Sequence, residues 1–175
     1  MVEPPRLTRR AFIGVAGASL VAVATGCGGK DAPAEAGRAD AALLGAMLAR
    51  ERAAAEQLRA LAARGGRGAA EIGRARTHDE AHARRLAAEL RKLGGRTPAA
   101  ATPGGAATAS PVLGALAIKQ DLYARYLEEM PLLRTAALRS LVAEIAIVEA
   151  EHVAALRAAS GADPLDGPFP MGERA

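Results

Sequence analysis

Apolar residues recur at intervals of three and four along four stretches of this chain, the spacing of a stripe down one face of an α-helix. Helix 1 is predicted from near Asp40, in an N-cap position, to Arg64, where Gly65-Gly66 ends it. Helix 2 spans about Ala69 to Leu93 and stops at Gly94-Gly95. Helix 3 starts near Pro111 and ends near Met130, before the break at Pro131; helix 4 runs from about Leu133 to Ala159, ahead of Ser160-Gly161. No sustained period-2 alternation suggests a strand. The expected fold class is therefore all-α.

The lengths between these segments specify a topology. The helix 1–2 and helix 3–4 turns are short, so each pair should form an antiparallel hairpin. Residues 94–110 have no apolar period and contain Pro98 and Pro103. Extended at about 3.3 Å per residue, that linker spans roughly 55 Å. Helix 2 is only about 37 Å long at 1.5 Å per residue. The linker can thus return along the whole bundle and set helix 3 parallel to helix 2.

A helical wheel places polar residues inside each apolar stripe. On helix 4, Glu149 and His152 share a face with Leu138, Leu141, Ile145 and Leu156. On helix 2, Asp79 and His82 lie among Ile72, Ala75, Leu86, Leu90 and Leu93, with His78 at the rim. On helix 1, Glu51 is flanked by Leu43, Leu44, Met47, Leu58 and Leu61. On helix 3, Gln120 is flanked by Leu113, Leu116, Tyr123 and Leu127. These insertions fall at similar heights within each hairpin, which predicts one shared polar site at the bundle centre. Unpartnered, such groups would cost several kcal/mol, so something must satisfy them.

Composition supports the helical reading and narrows the partners. Half the residues are apolar while aromatics make up 2%, so the core must come from Leu, Ile, Val and Ala. The net charge is +4, but removing residues 1–26 leaves 20 Lys+Arg against 18 Asp+Glu. The charges are interspersed, as on a solvated surface, and aromatics for base stacking are scarce. Nucleic acid is not an expected partner.

Residues 1–26 have the form of a signal peptide: positive residues, a modest apolar region, then small residues. Arg9-Arg10 followed by Ala11-Phe12-Ile13 resembles a twin-arginine signal, which is read by the twin-arginine export machinery. Ala24-Thr25-Gly26-Cys27 resembles a bacterial lipobox, which implies a mature N-terminus at Cys27 carrying lipid on its sulfur and amine. Several acyl chains give stable anchoring in a bilayer. The expected location is the outer face of the cytoplasmic membrane, with residues 27–38 as lipidated cysteine and tether. Residues 39–160 form the domain and 161–175 a tail, packed through Leu165 and Phe169 or loose.

The polar pattern itself resembles that of ferritin-like four-helix bundles, two antiparallel hairpins joined by a long crossover. Those proteins carry one Glu on each of two helices and Glu-x-x-His on the other two. The matching positions are Glu51, Asp79-x-x-His82, Gln120 and Glu149-x-x-His152, and the chain is similar to exported bacterial ferritin-like domain proteins. The resemblance implies a central metal site formed by Glu51, Asp79, His82, Gln120, Glu149 and His152, with Tyr123 beside it. Asp79 is shorter than Glu and Gln120 is neutral, so three carboxylates favour one metal, near Glu149 and His152, over two. Nitrogen and oxygen ligands suit iron or manganese and admit zinc. If the site is catalytic, metal oxidation or peroxide consumption is the implied class. The alternative is a metal-free envelope module in which the carboxylates bond to the histidines and Gln120. A homodimer is compatible with the sequence; a closed storage cage is disfavoured by a tether on every subunit.

Overall fold

The computed structural model describes residues 32–99 and 110–165. Its elements are α1 (Ala32–Ala63), α2 (Ala69–Lys92), α3 (Pro111–Glu129), a 3-10 turn (Met130–Leu132) and α4 (Ala136–Ser160). The signal with Arg9 and Arg10, Cys27, and Phe169 of the tail lie outside the described residues. No helix among the described residues is long and apolar enough to cross a membrane.

The fold is the ferritin-like four-helix bundle expected from the pattern. α1 packs chiefly on α2, and α3 on α4, as two hairpins. Parallel pairing of α2 with α3 follows from which ends meet. Gly68, before α2, lies against Val112 at the start of α3 and Ala159 at the end of α4. This glycine has φ 81°, and a Cβ there would fall 2.8 Å from Val112 Cγ2. A left-handed backbone at so close an approach leaves glycine as the residue that fits.

Two boundaries differ from expectation. α1 begins at Ala32, so the second half of the expected tether is helical. Residues 34–39 are mostly Ala, Glu and Arg, good helix formers, and nothing there except Gly37 opposes continuation. Asp40 is consequently no N-cap of α1. Its carboxylate instead accepts hydrogen bonds from Arg134 N at 2.8 Å, Thr135 N at 3.0 Å and Thr135 Oγ1 at 2.6 Å. These are free donors just ahead of α4, which starts at Ala136 and not at Leu133. Leu133 is extended and buried, acting as a plug under the connection. In the tail, Leu165 is exposed and does not pack.

The apolar core is split. One cluster includes Leu44, Met47, Leu48, Leu86, Leu90, Leu122, Val142 and Ile145. The other gathers Leu58, Ile72, Ala75, Val112, Ala115 and Leu156 at the end where α2 and α3 begin. Between them lies a layer of buried charged side chains.

Burial pushes the Asp40 carboxyl up, but hydrogen bonds from the Thr135 side chain and the Arg134 and Thr135 amides outweigh it and hold it below the ordinary value. Asp40→Ala should lower stability by about 2 kcal/mol, read from denaturant unfolding. Because the folded-state value is depressed, the contribution is present above the unfolded value of 3.8 and lost as pH falls through the folded one. The loss caused by Asp40→Ala should therefore shrink in acid.

Candidate metal centre

The charged layer is supplied by all four helices. Glu51 of α1, Asp79 and His82 of α2, and Glu149 of α4 each offer one ligand atom, all within 4.8 Å of one another. Opposite ligands of a metal at about 2.0–2.2 Å stand roughly 4.4 Å apart at most, so small side-chain rotations would close the set. The three carboxylates are fully buried, and His82 nearly so. A fifth group stands among them. Lys119 of α3 is completely buried, and its ammonium contacts Asp79 Oδ1 and Glu149 Oε2. Tyr126, one helical turn pair further on, donates its hydroxyl to Glu51 Oε1.

Glu51 and Asp79 each have one hydrogen-bonded oxygen, whereas Glu149 has none and is held by ion pairs alone. Glu51 Oε2, Asp79 Oδ2 and Glu149 Oε1 are buried without a hydrogen-bond partner, as is His82 Nδ1. His82 Nδ1 lies 3.2 Å from Glu149 Oε1 and 3.4 Å from Glu51 Oε1, close enough for charge pairing but not directed as a hydrogen bond. The Lys119 contact to Glu149 Oε2 is likewise an ion pair without hydrogen-bond direction. Orphaned buried acceptors are rare, and a cation held by one atom from each of these four residues is what could satisfy them.

Electrostatics follow from burial and crowding. Burial pushes the Asp79 carboxyl up to about 8; the Lys119 charge opposes this, while Glu51 and Glu149 add to it. Burial alone would lower His82, but the Glu149 and Glu51 carboxylates at its Nδ1 win and raise it to about 9. Burial tends to raise Glu149, and His82 and Lys119 overcome it, leaving this carboxyl below its ordinary value. For Lys119 desolvation is outweighed by Glu149, Asp79 and Glu51, so the ammonium persists. Tyr126 is raised by burial and then by Glu51, which keeps its phenol a donor.

The six expected ligands divide. Glu51, Asp79, His82 and Glu149 are brought together. His152 is buried but stands outside that group, with its Nε2 3.0 Å from Nδ1 of the exposed His78. Burial first, and then the Lys119 charge, lower His152 to about 4, so this ring is neutral near pH 7. Gln120 is half-buried and not among the converging ligands; Tyr123 lines an apolar groove with Leu127, Met130 and Ile147. The cause is a rotation of α3. Of its buried positions, Val112, Ala115, Lys119, Leu122 and Tyr126 each lie one residue before the expected stripe, and Gly114 is buried with them. Leu113, expected inside, is 51% exposed. Lys119 and Tyr126 thus replace Gln120 and Tyr123 at the centre. The sequence held one signal for them: three inward carboxylates without a cation call for one, and Lys119 adjoins the residue chosen.

Removing the ammonium leaves Asp79 and Glu149 buried and unopposed. Lys119→Met should destabilise the fold by about 3–5 kcal/mol. Adding Asp79→Asn should restore part of that loss, so a double-mutant cycle in urea should give a clearly non-additive result. His82 supplies the complementary pH test. Its folded value lies above the ordinary 6.5, so its contribution is complete below 6.5 and disappears as pH rises through about 9. His82→Ala should accordingly flatten the fall in stability over that window. Comparison of the chain with family models, with curated proteins and with solved structures returned no match.

Proposed function

We propose that this chain is an exported, lipid-anchored ferritin-like protein that binds one divalent transition-metal ion at the centre of its bundle. The observation that carries the reading is the buried cluster of Glu51, Asp79, His82 and Glu149, which bring one ligand atom each within 4.8 Å of the others and leave Glu51 Oε2, Asp79 Oδ2, both Glu149 oxygens and His82 Nδ1 without a hydrogen-bond partner. Charge supports one ion over two. Three carboxylates against the Lys119 ammonium leave two negative charges, which one divalent cation balances. A second would leave two positive charges buried, at a cost of several kcal/mol. Lys119 thus serves as a built-in substitute for the other metal of a two-metal centre. The oxygen–nitrogen ligand set suits iron or manganese, with zinc admitted. Such an ion would supply Lewis acidity or one-electron chemistry; around it Tyr126 and Lys119 orient Glu51, Asp79 and Glu149.

The address rests on Arg9-Arg10 for the export machinery and on Cys27 for the bilayer, both read from sequence. Cys27→Ser should shift the protein from the membrane to the soluble fraction; unchanged membrane retention would refute the anchor. A second reading, a metal-free envelope module, is favoured by Lys119 itself, which already pairs two of the three carboxylates.

Elemental analysis after reconstitution separates the two readings. One ion per chain is expected, lost in Glu149→Gln; no stoichiometric metal would leave the metal-free module. Protons provide an independent check. Asp79 at about 8 and His82 at about 9 both hold a proton near pH 7, and each must lose it to become a ligand. Calorimetry in buffers of different ionisation enthalpy should report about two protons released per ion. Apparent affinity should rise by up to roughly a hundredfold per pH unit below about 8 and level off above about 9.

A further inference from the structure

The chain has three histidines, and all three meet at one place on the bundle. His82 faces the carboxylates. His78, one turn before it on α2, is exposed, and its ring centroid lies 6.4 Å from that of His82. His152 on α4 stands 4.9 Å from His78 between ring centroids, at a tilt of 56°. The rings are not stacked. They turn an edge to each other, so that His152 Nε2 and His78 Nδ1 are 3.0 Å apart.

That separation has a second meaning besides a hydrogen bond. Two imidazole nitrogens bound to one metal at about 2.0–2.1 Å are about 3.0 Å apart when at right angles and about 3.4 Å apart in a tetrahedron. With the protons on His152 Nδ1 and His78 Nε2, both facing nitrogens present lone pairs to a common point. The two rings come from different helices, so packing of α2 on α4 fixes their spacing. His78 opens to water, which can fill the remaining coordination positions. His82 carries the series inward to Glu51 and Glu149.

We propose that His78 and His152 form an outer transition-metal site, which captures an ion from solvent and passes it by His82 to the carboxylate centre. The transfer rests on the central site proposed above; the capture does not.

Copper(II) titrated into the full chain, followed by electron paramagnetic resonance, tests both parts. The wild type should bind two ions, one with the nitrogen hyperfine pattern of two imidazoles. His78→Ala, a change at an exposed position, should abolish that signal. It should also slow filling of the inner site roughly tenfold or more at limiting copper, without altering the final inner stoichiometry. Glu149→Gln should lose the inner ion and keep the two-imidazole signal. Unchanged spectrum and loading rate in His78→Ala would overturn the proposal. A wild type that shows the two-imidazole signal and no inner ion would overturn the central site and the transfer, while upholding capture.

Discussion

Everything in this bundle is arranged around an ammonium ion in a place where charge is expensive. Lys119 is wholly buried beside Asp79 and Glu149, themselves wholly buried, with Glu51 close by. Desolvating each ion costs several kcal/mol even after relaxation, and mutual attraction repays that only when the remaining lone pairs are met. Here they are partly met: Tyr126 donates to Glu51 and Lys119 to Asp79, while the second oxygen of each and both oxygens of Glu149 have no hydrogen bond. Such a layer lowers the stability available to the fold. Its persistence between two apolar clusters points to a task other than holding the helices together.

The charged layer also constrains the packing. A bundle with an uninterrupted leucine core tolerates a helix sliding or rotating, because one apolar contact can replace another. Groups that demand particular partners remove that freedom. Rotating α3 by one residue would carry Lys119 out of reach of its carboxylates and bring in a neutral amide. Asp40 adds a second directional constraint at the end where α4 begins, tying α1 to the α3–α4 connection through three hydrogen bonds. Register in this molecule is thus set by polar contacts, while the leucines supply most of the cohesion.

The same distinction explains what could be read from the sequence. Helices, hairpins, crossover direction and the inward faces of α1, α2 and α4 were legible because each face carries a single run at helical spacing. Helix 3 carries two. Leu113, Leu116, Gln120, Tyr123 and Leu127 obey the period, and so do Val112, Ala115, Lys119, Leu122 and Tyr126. Side-chain bulk favours the first set, but the structure buries the second. Gly114 and Ala115 face inward there while Leu113 lies outside, so small residues occupy the buried face at the start of α3. The start of α1 was misjudged for a related reason. Asp40 is of the type that caps helices, but its bonds run to a segment distant in sequence.

An empty-looking charge balance and a full one can use the same residues. Without a cation, Asp79 and His82 take up protons, since burial and the neighbouring carboxylates raise both. With the one divalent ion proposed above, those two protons would leave and the net charge of the layer would be unchanged. Two protons and one ion would then exchange among the same side chains. Lys119 is what keeps that exchange one-for-two. Were its position neutral, the three carboxylates would leave one negative charge against a single divalent ion and one positive charge against two. A single lysine thus brings the charge of the three carboxylates to the value that the one ion proposed above would balance.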